Sequence, residues 1–105
     1  MTSRHRLPDR RRGVSIEFFH NHHGYTLTVG YYRDGRVGEV FLNAHKSGGA
    51  LESVARDAAI VVSIALQHGA DLGIICRALT RDGNGAPATL IGAALDAILP
   101  EGARS

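Results

Sequence analysis

The sequence predicts an α+β fold, in which a three-stranded antiparallel meander is followed by a long buried helix and two shorter helices. Apolar residues alternate with polar ones through about residue 43, and from residue 51 they recur at the spacing of a helix face. The strands precede the helices and do not alternate with them, which is typical of α+β domains. A chain of 105 residues forms one domain, so we expect one core and a function carried on one small surface.

The strand prediction rests on period-two runs that are rich in β-branched and aromatic residues. Residues 14–19 and 25–32 form two such runs, and the polar segment HNHHG at 20–24 joins them as a hairpin. An Asp-Gly turn at 34–35 leads into a third strand, VGEVFLN at 37–43. One face of this meander is expected to be buried.

The helices are predicted from apolar spacing and from residues that cap or stop a helix. The longest spans about residues 49–68 and carries apolar residues on much of its circumference, and Gly69 fits its left-handed C-terminal position. Asp71 can cap a short second helix. Residues 81–87, RDGNGAP, form a loop, and a last helix covers 88–99.

Positive charge is concentrated at the N-terminus. Residues 1–12 hold five arginines and one aspartate, which leaves seven basic and nine acidic side chains for the remainder of the chain. We expect residues 1–12 to be a disordered, solvated tail, residues 13–100 to be the domain, and residues 101–105 to be a second tail. The five arginines are Arg4, Arg6, Arg10, Arg11 and Arg12.

The clustered arginines also support an alternative hypothesis, a nucleic-acid-binding module. In that hypothesis the arginines contact phosphates, while Tyr25, Tyr31 and Tyr32 on the sheet stack against bases. Binding that weakens steeply with salt is the expected signature.

Cysteine content and hydropathy favour a protein of the reducing cytoplasm. Cys76 is the single cysteine, so no intrachain disulfide can form, and a buried thiol of this kind is normally inert packing. The longest apolar run, residues 58–62, is far shorter than the ~18 residues of a membrane span. We therefore expect no membrane association.

Histidines crowd the first hairpin, where His20, His22 and His23 lie, and His45 follows the third strand. Residues two apart on a strand face the same side, so His20 and His22 could share a metal with a third ligand. The chain has no CxxC or HExxH pattern, and Gly24 marks a loop. We favour a solvated loop and assign no metal site.

The stretch His45, Lys46, Ser47, Gly48 and Gly49 precedes the long helix and has two interpretations. Unpaired helix amides, close approach at the glycines, and the Lys and Ser donors could bind an anion. Alternatively, Ser47 or a glycine caps the helix and Lys46 stays in water. The stretch is not a P-loop, because the residue before the lysine is not glycine.

No catalytic group is predicted. Ser63 lies inside an apolar helix without a strand-turn-helix elbow, and a serine in that position usually bonds to the carbonyl of residue i−4. Arg56 and Asp57, together with Asp71 and Arg77, are interpreted as surface or helix-helix ion pairs. No acid, base and nucleophile converge.

Two stretches, DGRVGEVFLNAHKSGG at 34–49 and RDAAIVVSIALQHGADLGIICRAL at 56–79, resemble the TSCPD domain. The resembling parts are the Asp-Gly turn, residues 39–41, the corner at 46–48, the helix segment 63–66 and Gly69. This domain occurs near the C-terminus of adenosylcobalamin-dependent (class II) ribonucleotide reductases and as stand-alone proteins. The resemblance covers about residues 24–80, and the chain is expected to be a stand-alone member.

The resemblance implies an accessory or binding module associated with ribonucleotide reductase or deoxyribonucleotide metabolism, not catalytic by itself. The Thr-Ser-Cys-Pro-Asp motif that names the domain is absent, because PATLIGAALD occupies residues 87–96. No thiol or metal role is therefore implied there, and adenosylcobalamin is implied only for the full reductase.

The partners implied are a reductase or a related protein, and further copies of the chain, since a three-stranded sheet leaves edges that need covering. A nucleotide-binding protein that shares only the domain with ribonucleoside-diphosphate reductase is the remaining alternative.

Overall fold

The computed structural model describes residues 3–46 and 49–99 and has the predicted α+β architecture. The three strands form one antiparallel sheet in the order β1-β2-β3. The elements are β1 (Gly13–His20), β2 (His23–Tyr31), β3 (Val37–Ala44), α1 (Ala50–Gln67), α2 (Leu72–Ala78) and α3 (Leu90–Asp96). The long helix agrees with its predicted range to within one residue at each end, whereas α3 is shorter than predicted. The predicted C-terminal tail lies outside the described residues.

The β1–β2 hairpin turns over two residues. Asn21 (φ 51°) and His22 (φ 68°) both have positive φ, the type I′ geometry that matches the twist of paired strands. β1 therefore extends to His20, which pairs with His23. The predicted connection at 20–24 is too long, because its outer residues continue the strand pairing.

The core lies between one face of the sheet and the helices. Leu27, Val29 and Val40 on the sheet have no exposed surface, and Leu95 on α3 is equally buried. The buried apolar residues of α1 are Ala55, Ala59, Val62 and Leu66. Because these four positions recur every three or four residues, one stripe of α1 faces the core.

α1 runs along β3, the edge strand of the sheet, and its polar side chains bond to backbone groups that point away from β2. Gln67 Nε2 donates to the Gly38 carbonyl at 2.9 Å. The Ala44 amide donates to Glu52 Oε2 at 3.0 Å. An uncovered strand edge is a template for pairing with another chain, so α1 closes this edge.

Ser63 makes the central contact with the β3 edge. Its Oγ accepts from the Val40 amide at 2.9 Å and lies 3.1 Å from the Val40 carbonyl oxygen and 2.9 Å from the Ala59 carbonyl oxygen. The one hydroxyl proton is therefore shared between two carbonyl oxygens. The contact with Ala59 confirms the predicted i−4 bond, and the bonds to Val40 give Ser63 a second role.

α1 also carries large apolar residues that are exposed, namely Leu51, Val54, Ile60, Val61 and Ile64. Positions 51, 54, 58, 61 and 65 alternate in spacing between three and four, so they form one continuous strip, the α1 strip. Within the described ranges neither α1 nor another helix is long and apolar enough to cross a membrane.

Side-chain caps begin both short helices. Asp71 Oδ1 accepts from the Ile74 amide at 3.0 Å, which confirms the predicted cap of α2. Thr89 Oγ1 accepts from the Gly92 amide at 3.1 Å and begins α3. Gly69 follows α1 with φ 99°, in the left-handed region as predicted.

Replacing Ser63 with alanine is expected to lower the free energy of unfolding by about 1–3 kcal/mol, because the buried polar groups of Val40 lose a partner. Ser53→Ala is the matched control, since Ser53 is exposed on α1 and its Oγ lies 3.4 Å from the Gly49 carbonyl. The control should change stability by less than about 0.5 kcal/mol. Urea denaturation followed by circular dichroism measures both variants, and equal effects would contradict the assigned role of Ser63.

Candidate functional site

The hairpin tip and the corner between β3 and α1 meet at one end of the sheet and form a pocket of about 470 Å³, the corner pocket. Phe19, Tyr25 and Leu51 supply its apolar surface, and His22, His23, His45, Lys46 and Glu52 supply its polar groups. The structure therefore joins two features that the sequence keeps apart, the hairpin histidines and the stretch that begins at His45.

His45 is held on the sheet by several contacts. Its amide donates to the Gly24 carbonyl at 2.9 Å, and its Nε2 lies 3.1 Å from Thr26 Oγ1 and 3.4 Å from Glu17 Oε1. A Cβ at position 24 would lie 2.5 Å from His45 Nδ1, so the ring packs directly on the Gly24 backbone. His45 thus forms a fixed wall of the corner pocket.

Lys46 is exposed at the mouth of the corner pocket. The next two predicted site residues, Ser47 and Gly48, lie outside the described residues. Gly49 occupies the N-cap position of α1 with φ 105° and has no side chain to cap the helix. The glycine interpretation of this cap therefore agrees with the structure, and anion binding by the stretch stays a prediction.

Glu52 gives the corner pocket a carboxylate beside its cationic rim. The side chain bonds to the Ala44 amide, which fixes the negative charge on the wall formed by α1. An anionic ligand would be repelled by this carboxylate and attracted to Lys46. The corner pocket therefore carries charges of both signs.

The hairpin histidines are not arranged as the metal hypothesis required. His20 faces His23 across the hairpin, whereas His22 occupies the turn itself. In residues 3–46 and 49–99 no three His, Cys, Asp or Glu side chains are grouped so that they could hold a metal ion.

The described part of the N-terminal segment, residues 3–12, lies against the domain. The His5 amide donates to the Gln67 carbonyl at 2.6 Å, and Arg4 Nε donates to Gln67 Oε1 at 2.6 Å. The Tyr32 hydroxyl donates to the His5 carbonyl. Over these residues the structure differs from a free, solvated tail, because Gln67 on α1 accepts hydrogen bonds from the segment and Tyr32, after β2, donates one to it.

Two sheet glycines make room for this segment. Arg11 forms an ion pair with the buried Glu39, whose carboxylate covers Gly30 so closely that a Cβ there would lie 2.3 Å from Oε2. The hydrogen bonds to Glu39 raise the pKa of Arg11. Leu7 packs on Gly38, where a Cβ would lie 2.6 Å from Leu7 Cδ2.

The remaining arginines of the segment form a basic surface at the end of the sheet opposite the corner pocket. Two adjoining clefts of about 240 and 330 Å³ lie there beside the β2–β3 turn. Apart from Arg11, which is paired with Glu39, the arginines that line them form the arginine surface, which comprises Arg6, Arg10, Arg12, Arg33 and Arg36. Arg33 and Arg36 were not among the predicted nucleic-acid residues, and their only sequence signal is their position beside the Asp-Gly turn.

The tyrosines assigned to base stacking are not available for it. Tyr25 and Tyr32 are buried, and Arg12 lies over the ring of Tyr31 with its guanidinium carbon 4.5 Å from the ring centroid. For Tyr25 and Tyr32 this part of the nucleic-acid hypothesis is wrong, because both side chains are buried inside the domain.

The remaining chemical candidates have structural roles. Cys76 is buried, and this burial raises the pKa of its thiol, which disfavours a reactive thiolate. Arg81 forms a two-pronged ion pair with Asp96, at 3.0 and 2.8 Å, and ties the loop after α2 to α3. The predicted ion pair of Arg56 is not found among the described residues, where its side chain donates to Asn43 Oδ1 at 3.4 Å.

These observations define a small α+β domain, with a pocket of mixed charge at one end of the sheet and a basic surface at the other. The chain matches the TSCPD domain over residues 2–99 and belongs to that family. The predicted family is therefore confirmed.

Several relatives are vitamin B12-dependent ribonucleotide reductases. The chain is 43% identical to the enzyme of Bradyrhizobium diazoefficiens over 72 residues, which are 69% of this chain and 6% of that protein. It is 36% identical to the enzyme of Agrobacterium fabrum over 77 residues, 73% of this chain and 6% of that protein. For the enzyme of Rhodopirellula baltica the identity is 40% over 73 residues, 69% of this chain and 7% of that protein. The chain thus spans a small fraction of these relatives, and no solved structure matches it.

The names of these relatives are what links the chain to vitamin B12. The corner pocket, the two clefts beside the β2–β3 turn and two further clefts have volumes between about 240 and 560 Å³ and are open to solvent. A corrin ring with its nucleotide arm is a far larger ligand, so none of these clefts fits it as an enclosed site.

The region where the naming motif of the family is expected has a structural role in this chain. Thr89 caps α3, and Leu90, Ala94 and Leu95 of the same helix are buried in the core. In this chain the residues at this position therefore cap and anchor a helix, and the Thr-Ser-Cys-Pro-Asp sequence is absent.

Proposed function

We propose that this protein is an accessory binding module of a vitamin B12-dependent ribonucleotide reductase system and is not catalytic by itself. Its family and its similarity to small parts of such reductases support the association. Its side chains support the non-catalytic role, because the Cys76 thiol is buried and the Ser63 hydroxyl is bonded to the β3 edge. A single buried cysteine suits a reducing compartment, so we place the module in the cytoplasm.

The corner pocket is the proposed ligand-binding site of this module. Lys46, His22 and His23 surround apolar surface from Phe19 and Leu51, a combination that suits a ligand with an anionic end and a flat apolar end. A deoxyribonucleotide has this chemistry. Its phosphates would lie toward Lys46 and away from the Glu52 carboxylate, because like charges repel.

Lys46→Ala is expected to weaken the binding of dATP at least tenfold, because the lysine supplies the one permanent positive charge of the corner pocket. Isothermal titration calorimetry at low salt measures the affinity, with inorganic triphosphate as a second ligand. Binding of triphosphate as tight as that of dATP would show that the phosphates alone are recognised.

Two variants control this experiment. Lys46→Arg keeps the charge and should keep most of the affinity, and Arg33→Ala removes a charge from the opposite end of the sheet and should leave it unchanged. Equal affinities of the wild-type protein and Lys46→Ala, or no nucleotide binding at all, would contradict the assigned ligand site.

Association with a reductase is tested separately. The purified protein is expected to co-elute in size-exclusion chromatography with a vitamin B12-dependent ribonucleotide reductase from the same organism, with and without dATP. The protein alone is expected to show no ribonucleotide reduction. Separate elution at tens of micromolar protein, or turnover by the isolated protein, would contradict the accessory role.

A second candidate function is phosphate-backbone binding by the arginine surface. The observation that favours it is the convergence of Arg6, Arg10 and Arg12 with Arg33 and Arg36, which places five guanidinium groups beside two clefts. Arg36 is partly neutralised by Asp34 at 2.8 Å, whose pKa is lowered by the hydrogen bonds from Arg36. With Tyr25 and Tyr32 buried, such binding would be insensitive to sequence.

For this function, the affinity for single-stranded DNA should fall with salt, with a slope in log K of about 0.7 for each phosphate contact. Replacing Arg33 and Arg36 together with alanine should reduce the slope by about 1.4, that is, by two contacts. Arg56→Ala, an exposed arginine on α1, is the matched control. A slope that does not change in the double variant would contradict this function.

A further inference from the structure

The two edges of the sheet differ in how they are covered. On the β3 edge, α1 bonds to outward backbone groups of three residues, Gly38, Val40 and Ala44. On the β1 edge, the described residues of the chain supply no hydrogen-bond partner to the outward backbone groups. One edge of this small sheet is therefore closed and the other is open.

The register shows which β1 residues face outward. Because Val40 points away from β2, its strand neighbours bond to β2, and the alternation continues across the sheet. Val14, Ile16 and Phe18 of β1 then bond to β2, as the neighbouring bond from the Tyr31 amide to the Arg12 carbonyl indicates. The outward backbone groups are those of Gly13, Ser15, Glu17 and Phe19.

β1 also lacks the features that usually protect an open edge. Its sequence, GVSIEFFH, has no proline, no lysine and no bulge over eight residues. Val14 is 40% exposed and Phe19 is 75% exposed, although an apolar side chain gains free energy when it leaves water. Glu17 is its single charged residue.

We propose that a second copy of this chain covers the β1 edge, so that two three-stranded sheets join through antiparallel β1 strands into one six-stranded sheet. The interface is isologous, with a two-fold axis perpendicular to the sheet. The axis keeps both helical layers on the same face of the sheet. This proposal depends on the sheet edges and not on the reductase association.

Charge selects the register of this pairing. Directly opposed residues must share a face, so the axis passes through a residue of β1. The axes that pair the most residues of this eight-residue strand pass through its two central residues, Ile16 and Glu17. An axis through Glu17 would oppose two carboxylates, which is unfavourable. With an axis through Ile16, that residue faces its own counterpart in the second copy. Val14 then faces Phe18 of the second copy, and Ser15 faces Glu17 of the second copy. No like charges face each other in this register.

The register predicts a cross-link that no other pairing gives. The outward groups of Ser15 and Glu17 form the hydrogen bonds, so the Ile16 pair is a non-hydrogen-bonded pair with a Cα–Cα distance of about 4.5 Å. Disulfides require a Cα–Cα distance of about 4.4–6.8 Å. Cysteines at this position would therefore form a disulfide across the axis under mild oxidation by dissolved oxygen.

The test uses the full chain, in which the native Cys76 is buried. Ile16→Cys is expected to give a disulfide-linked dimer on a non-reducing gel. Val14→Cys alone should give none, whereas a mixture of Val14→Cys with Phe18→Cys should give a linked heterodimer. Size-exclusion chromatography with light scattering should show that the wild-type protein is a dimer. A monomeric wild-type protein, or a dimer in which Ile16→Cys forms no link, overturns the proposal.

Charge variants at the surface of β1 test the same register without a covalent bond. Ser15→Glu should weaken the dimer at least tenfold, because it faces Glu17 of the second copy, and adding Glu17→Lys should restore the affinity. Ser15→Lys should strengthen it. Circular dichroism confirms that each variant is folded. The proposal would be overturned if these changes left the dimer affinity unchanged while Val54→Lys, on the α1 strip, dissociated the dimer. That result would assign the interface to α1.

Discussion

The hydrogen bonds between Ser63 and the two backbone groups of Val40 fix α1 along the edge of the sheet. Gln67 and Glu52 extend the same row of contacts to Gly38 and Ala44. A long helix with an apolar stripe could pack on a sheet face in several ways, but only one position lets these side chains reach outward strand groups. The polar row therefore determines where α1 lies, which of its sides stays exposed, and which sheet edge is left open.

The consequences for function follow from that placement. With α1 along β3, the start of the helix and the hairpin tip meet at one end of the sheet and form the corner pocket. At its other end, α1 presents Gln67 to the N-terminal segment, which positions Arg6 and Arg10 beside the β2–β3 turn. The two candidate ligand surfaces thus lie at opposite ends of the molecule, and a charge change at one should leave the other unaffected.

Local patterns in the sequence predicted much of the fold, and long-range contacts explain what they missed. The ranges of the strands and of α1, the Asp71 cap and the Gly69 stop depend on neighbouring residues and could be predicted from spacing alone. The contact from Ser63 to Val40, 23 residues apart, and that from Gln67 to Arg4, 63 residues apart, leave no periodic signal. For the same reason the sequence indicated an anion site at Lys46 without the hairpin histidines beside it.

The contrast between a closed and an open sheet edge is tested most directly by amide hydrogen exchange followed by nuclear magnetic resonance. We expect slow exchange for the Val40 and Ala44 amides at all protein concentrations. We expect fast exchange for the Ser15 and Glu17 amides in dilute protein and slower exchange as the concentration rises. Fast exchange at Val40 would contradict the closure of β3 by α1, and concentration-independent protection at Ser15 and Glu17 would show that the chain itself covers β1.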